Sequence, residues 1–113
     1  MKLSTLKAEL GLEHLTPALG DGLDAEVARG HVSDLLSDVL GRAPAEAVLV
    51  TIQVHMNVVA VCVHAGLEAV VFAAGRRPDD AVCAKAAEEG LQLFASKQSA
   101  FELVGRMYEL GLR

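Results

Sequence analysis

Two hydrophobic rhythms alternate along this chain: short continuous apolar runs and stripes at helical spacing. The clearest run is Ala47-Val48-Leu49-Val50-Thr51-Ile52, β-branched and without polar alternation, as expected of a strand covered on both faces. Residues 69–73 and 91–95 repeat that character, and each run is followed by a helical pattern. The first covers residues 58–65, apolar nearly all round, with Asn57 as the expected N-cap; its valines also suit a strand, but Gly66 stands where a helix stop belongs. The second opens at Pro78, Asp79 and Asp80 and stops at Gly90. It carries Val82, Cys83, Ala86 and Ala87 on one side and Lys85, Glu88 and Glu89 on the other. The third starts at Ser99-Ala100-Phe101-Glu102, a capping-box spacing, with Phe101, Val104 and Tyr108 recurring behind it and Glu102–Arg106 as an i,i+4 pair.

Upstream the pattern is weaker. Ser4 is the expected cap of a short helix carrying Leu6 and Leu10 and stopped by Gly11. Residues 12–16 suit a short strand, 17–24 a loop around Gly20-Asp21-Gly22, and 26–32 a second strand. Ser33 then starts a helix through Leu35, Leu36, Val39 and Leu40, with Asp34 at its positive end and Gly41 and Pro44 closing it. A Gly-Leu pair follows four presumed helices, at Gly11, Gly66, Gly90 and Gly111: the glycine takes the left-handed residue and the leucine packs back. The strand–helix unit recurs about every 21 residues after residue 47, which implies parallel strands with short crossovers. The expected fold is α/β, a layered sandwich with a mostly parallel sheet, as a single domain over 1–113.

Composition sets limits on this picture. The chain has 113 residues, 52% of them hydrophobic, enough for a real core and too apolar for disorder. Its net charge of -5, with no Lys/Arg cluster, argues against a nucleic-acid partner. Two cysteines, Cys62 and Cys83, make no secreted disulfide framework and read as small buried side chains in a reducing compartment. The N-terminus lacks a signal-peptide apolar region, and the longest apolar run, 58–63, is far short of the ~20 residues of a membrane helix. A cytoplasmic protein without a membrane segment is expected.

Little in the sequence carries covalent chemistry. His55, Cys62, His64 and Cys83 are the soft metal ligands, but Cys62 and His64 sit two apart on a helix and point to opposite faces, so no metal is expected. Both cysteines lie in apolar surroundings that make a thiol inert. Ser33, Ser96 and Ser99 serve as caps or loop formers, and no Gly-x-Ser-x-Gly elbow, Walker A loop or Gly-x-Gly-x-x-Gly is present. Asp34 and Asp38 share a helix face that reads as solvated. No cofactor is implied.

A binding site is instead expected by geometry, outside the carboxyl ends of the parallel strands. Three loops leave those ends and run into helix N-termini, which favour anions. They supply Gln53, His55 and Asn57, then Gly75, Arg76 and Arg77, then Ser96, Lys97 and Ser99, with positive charge from the two arginines and the lysine. The helix over 58–65 must be buried all round, and a second copy of the chain, related by a two-fold axis, is expected to supply part of its cover.

The blocks Val32-Ser33-Asp34-Leu35-Leu36-Ser37-Asp38-Val39, Thr51-Ile52-Gln53-Val54-His55, Ala73-Ala74-Gly75-Arg76-Arg77-Pro78 and Ser99-Ala100-Phe101-Glu102 resemble, in order and spacing, the stand-alone DRTGG-domain proteins. The resemblance spans the chain to Leu112. It implies an α/β sandwich like the amino-terminal domain of HPr kinase/phosphorylase, homodimerisation, a regulatory role with no catalysis, and a protein partner in a regulatory or redox pathway. The family's Asp-Arg and Thr-Gly-Gly correspond here to Val54-His55 and Ala73-Ala74-Gly75, of which Gly75 alone is retained.

Three functions follow. The first is a non-catalytic regulatory or ligand-sensing module binding a small anion or nucleotide at the three loops. The alternative is a ligand-free homodimeric interaction scaffold. An enzyme using His55 with Asn57 or Gln53 ranks last, because no nucleophile–base–orienter set is visible.

Overall fold

The apolar runs pair with one another as the strand–helix rhythm predicts. The computed structural model describes residues 1–20 and 22–113. Its strands are β1 (Glu13–His14), β2 (Gly30–Val32), β3 (Val48–Thr51), β4 (Ala69–Phe72) and β5 (Gln92–Ala95). Its helices are α1 (Leu3–Leu10), α2 (Leu36–Arg42), α3 (Asn57–Ala65), α4 (Asp80–Glu89) and α5 (Ala100–Glu109). They form one sheet in the order β1-β5-β4-β3-β2, parallel except for β1, which pairs antiparallel with β5.

Strand side chains alternate between two cores. Val48, Val50, Val71 and Phe94 pack with Leu3, Leu6 and Leu10 of α1 and with Leu103 and Met107 of α5. Leu49, Val70, Phe72 and Leu93 pack on the other face with Val39 of α2, Val58, Val59 and Cys62 of α3, and Val82 and Ala86 of α4. The result is a three-layer α/β/α sandwich, and the double covering explains why the strands read as unbroken apolar runs. Each fully buried Val, Leu or Phe contributes roughly 1.5–3 kcal/mol.

Glycine closes α1, α3 and α4 in the left-handed region, at Gly11 (φ 63), Gly66 (φ 73) and Gly90 (φ 78), as the Gly-Leu pairs predict. Asp79 and Ser99 cap α4 and α5 by accepting the N–H of Val82 and Glu102.

Several local readings change. Ser4 lies inside α1, whose N-cap is Lys2. Residues 26–29 stay outside β2; Glu26 forms an isolated β-bridge with Lys2, and the Val27 N–H bonds to the Met1 carbonyl. The 17–24 loop holds two short 3-10 turns, Pro17–Leu19 and Gly22–Asp24, and Asp21 falls outside the described residues. The helix expected from Ser33 begins only at Leu36, because Asp34 is drawn away: its carboxylate accepts the Thr51 hydroxyl at 2.9 Å and the Ile52 N–H at 2.8 Å. Asp38 instead pairs with His31 at 2.9 Å and Arg42 at 3.4 Å, so the two aspartates share no face. The His31 and Ser33 hydrogen bonds hold the Asp38 carboxyl below its ordinary range. Arg106 reaches Gln98 and the Glu9 carbonyl rather than Glu102.

The largest correction concerns α3. Val58, Val59 and Cys62 are buried, but Ala60, Val63 and His64 are exposed. An outer-layer helix packs on the sheet by one face and on its neighbours by its flanks, so an apolar outer face stays open. Burial pushes the Cys62 thiol up to about 12 and raises that of Cys83, the inert behaviour expected of both.

A buried polar knot fastens the edge strand. Thr16, almost fully buried, accepts the Leu93 N–H at 3.1 Å and donates to Gln92 Oε1 at 3.2 Å. His14 donates to the same oxygen at 2.7 Å and stacks on Phe94. These bonds set β1 against β5, which matters for the site described next.

Candidate functional site

Chain direction creates the crevice. After β4 the chain passes to α4 on one face, and after β5 it passes to α5 on the opposite face. Adjacent loops that diverge in this way leave a gap at the carboxyl ends of their strands, where α/β sheets bind ligands. Here that gap is a cleft of about 350 Å³ lined by Gly75 and Arg77 from the β4–α4 loop, Ser96, Lys97 and Gln98 from the β5–α5 loop, and Glu13 of β1. The volume suits a small molecule.

Backbone bonds brace its walls. The Ala74 N–H donates to the Gln98 carbonyl at 2.7 Å and the Gly75 N–H to the Ser96 carbonyl at 2.9 Å, which ties the two loops together. Gln98 is the hub: its N–H meets Ser96 Oγ, its side-chain amide donates to the Leu10 carbonyl at 3.1 Å, and its Oε1 accepts from Arg106 at 2.8 Å. The floor is therefore joined to α1 and α5.

The turn itself is strained. Ala74 sits at φ 57 and Gly75 at φ 73, two consecutive left-handed residues. Glycine accepts that conformation freely, whereas alanine is strained there by roughly 1–2 kcal/mol. Relief of that strain exceeds the extra unfolded-state entropy of glycine, so Ala74→Gly is expected to stabilise the fold by a net ~0.5–1 kcal/mol. A rise in thermal midpoint checks this, and a fall would show that the alanine methyl is needed.

Arg77 and Lys97 bring positive charge to the cleft, and Glu13 brings one negative charge. Arg77 Nη1 donates to Glu13 Oε1 at 2.6 Å. That hydrogen bond holds the Glu13 carboxyl below its ordinary value, with the charges of Arg77 and Lys97 acting the same way, and it raises Arg77.

The nine residues expected at the site separate into groups. Gly75, Arg77, Ser96 and Lys97 line one cleft. Arg76 is exposed and outside that lining, and Ser99 is occupied as the cap of α5. Gln53 and His55 line a different depression, with Asp79 between α3 and α4, and Asn57 lines the outer α3–α4 groove. The expected Asn57 cap is also replaced: Met56 holds that position, and His55 Nδ1 accepts the Asn57 N–H at 3.1 Å. His55 thus has a structural duty, and the starts of α4 and α5, which follow the two cleft loops, are capped by Asp79 and Ser99. Electrostatic attraction in the cleft rests on Arg77 and Lys97 rather than on open helix N-termini.

Glu13 and Gln98 are the residues that sequence reading missed. Glu13 faces the cleft only because a two-residue antiparallel strand pairs at the sheet edge, 64 positions from Arg77. Among the described residues, no three His, Cys, Asp or Glu side chains gather in a way that holds a metal ion, and no helix is long and apolar enough to cross a membrane.

No protein-family model matches the chain, and no curated protein matches it. Among solved structures it is similar to the regulatory region of Clostridium perfringens pyrophosphatase, comprising CBS and DRTGG domains and complexed with the activator diadenosine tetraphosphate. The TM-score is 0.66 at 12% identity, over 92% of this chain and 44% of that one. The chain thus spans less than half the length of that region. At such identity the likeness is one of fold: this mostly parallel α/β sandwich is similar in fold to part of a CBS- and DRTGG-containing regulatory region.

Proposed function

We propose that this chain is a non-catalytic, ligand-sensing regulatory module of the DRTGG type that binds a small anion, nucleotides included, in the crevice between β4 and β5. The observation that carries this reading is the coincidence of the topological switch point with Arg77 and Lys97. Supporting it, the similar solved structure is a regulatory region and was obtained with a nucleotide activator. A reducing, cytoplasmic compartment fits the two free cysteines. Inorganic pyrophosphate, ATP and AMP titrated calorimetrically into the wild type, and into Arg77→Ala and Lys97→Ala variants, test the reading. Binding that both substitutions weaken is expected; binding indifferent to both would place the ligand elsewhere.

A second reading, the homodimeric scaffold, is favoured by α5 rather than by α3. Phe101 is 90% exposed, and Val32, Val104 and Tyr108 border the same shallow surface. Gly105 lies midway between Phe101 and Tyr108 with open space above it, which permits close approach of a second α5 running antiparallel. Phe101 of one copy then meets Tyr108 of the other about a two-fold axis. Light scattering at micromolar concentration is expected to give twice the 11.9 kDa chain mass, and Phe101→Glu to return the monomer. A monomeric wild type removes this reading without touching the crevice.

A further inference from the structure

The crevice already holds an anion of its own. Glu13 and Arg77 approach from opposite walls, one on the edge strand and the other on the β4–α4 loop, and pair at 2.6 Å. Both side chains are more than half exposed. An exposed pair of this kind adds little to stability, so structural need explains it poorly. Its position has a clearer consequence. Any ligand that takes Arg77 has to displace a carboxylate tethered beside it, and meets the negative charge of Glu13 afterwards.

The geometry points to Glu13 as a specificity-determining internal competitor: it occupies Arg77 in the empty site and so restricts the crevice to ligands that outbid one carboxylate, namely polyanions such as di- and oligophosphates. This rests on the anion-binding reading of the crevice. A monocarboxylate or other small monoanion offers Arg77 nothing that Glu13 does not, and lacks the advantage of being tethered. A diphosphate engages Arg77 and Lys97 together and exchanges one charge contact for two or more. The strand itself need not move, since the Thr16, His14 and Gln92 bonds hold β1 independently of the Glu13 side chain.

The test is a cycle of four proteins: wild type, Glu13→Gln, Arg77→Ala and the double variant. Each is titrated with inorganic pyrophosphate and with acetate, after circular dichroism has confirmed the fold. Glu13→Gln is expected to tighten pyrophosphate about fivefold, the order of an exposed ion pair together with one nearby like charge. Acetate is expected to bind Glu13→Gln measurably and the wild type not at all. Both gains are expected to vanish in the double variant. Pyrophosphate that binds through Arg77 with equal or lower affinity in Glu13→Gln would overturn the competitor role while leaving the crevice reading intact. Pyrophosphate binding unchanged by Arg77→Ala, or no binding to either the wild type or Glu13→Gln, would remove both. Binding to Glu13→Gln with none to the wild type would also overturn the competitor role as stated, since a diphosphate has to outbid the carboxylate.

Discussion

Replacing Phe72 with alanine is expected to lower the free energy of unfolding by about 3–5 kcal/mol, the range found when a buried aromatic ring is truncated. Phe72 is completely buried at the carboxyl end of β4, in the core shared with α2, α3 and α4. Its removal deletes apolar surface and leaves a cavity that paired strands on both sides prevent from collapsing. Domains of this size hold only about 5–15 kcal/mol in total, so the variant is expected to unfold at a far lower urea concentration with a similar slope. A loss below about 1 kcal/mol would mean that the two-sided covering of β4 is wrong.

The second large effect is on binding. Truncating Arg77 and Lys97 together is expected to weaken pyrophosphate by about 100-fold. Hydrogen bonds to charged groups contribute about 1.5–3 kcal/mol each, and every 1.4 kcal/mol is a factor of ten. Each single variant is therefore expected to lose about tenfold. Arg76→Ala is the control, with a change within about twofold, because Arg76 is exposed and does not line the cleft. Equal losses from Arg76 and Arg77 would show that general positive charge, rather than the cleft, attracts the ligand. Added salt separates the two further, since diffuse attraction is screened more strongly than a bonded pair.

Those neighbouring arginines show where sequence reading stops. Their placement on the loop after β4 follows from the apolar run before them and the Pro78-Asp79-Asp80 helix start behind them, both local signals. Which of the two enters the crevice depends on the left-handed turn at Ala74 and Gly75, and Ala-Ala-Gly does not announce a left-handed alanine. The strands β3, β4 and β5 were legible because burial on both faces makes their composition uniform. The edge strands were not, since β1 has two residues and β2 three, too few for a period to register. Strand order is likewise non-local, so the place where the loops diverge is set by pairings between distant segments.

The helix α3 teaches the complementary lesson. An all-round apolar pattern predicts all-round burial only when every face has something to cover it. In this fold none of the described residues covers the outer face of that layer, and Val63 remains 39% exposed. Glu13 shows a further limit. Nothing in Leu12-Glu13-His14 distinguishes its carboxylate from a solvated one, and what sets it apart is a contact made across the sheet edge.

The measurement that bears most directly on the crevice is an amide proton–nitrogen NMR titration of the wild type with inorganic pyrophosphate. Saturable, concerted shifts at Glu13, Gly75, Arg77, Ser96, Lys97 and Gln98 are the expected result, with α3 and the outer face of α5 unmoved. Shifts centred on the α3–α4 groove or on Phe101, or a spectrum unchanged at millimolar pyrophosphate, would contradict an anion site between β4 and β5.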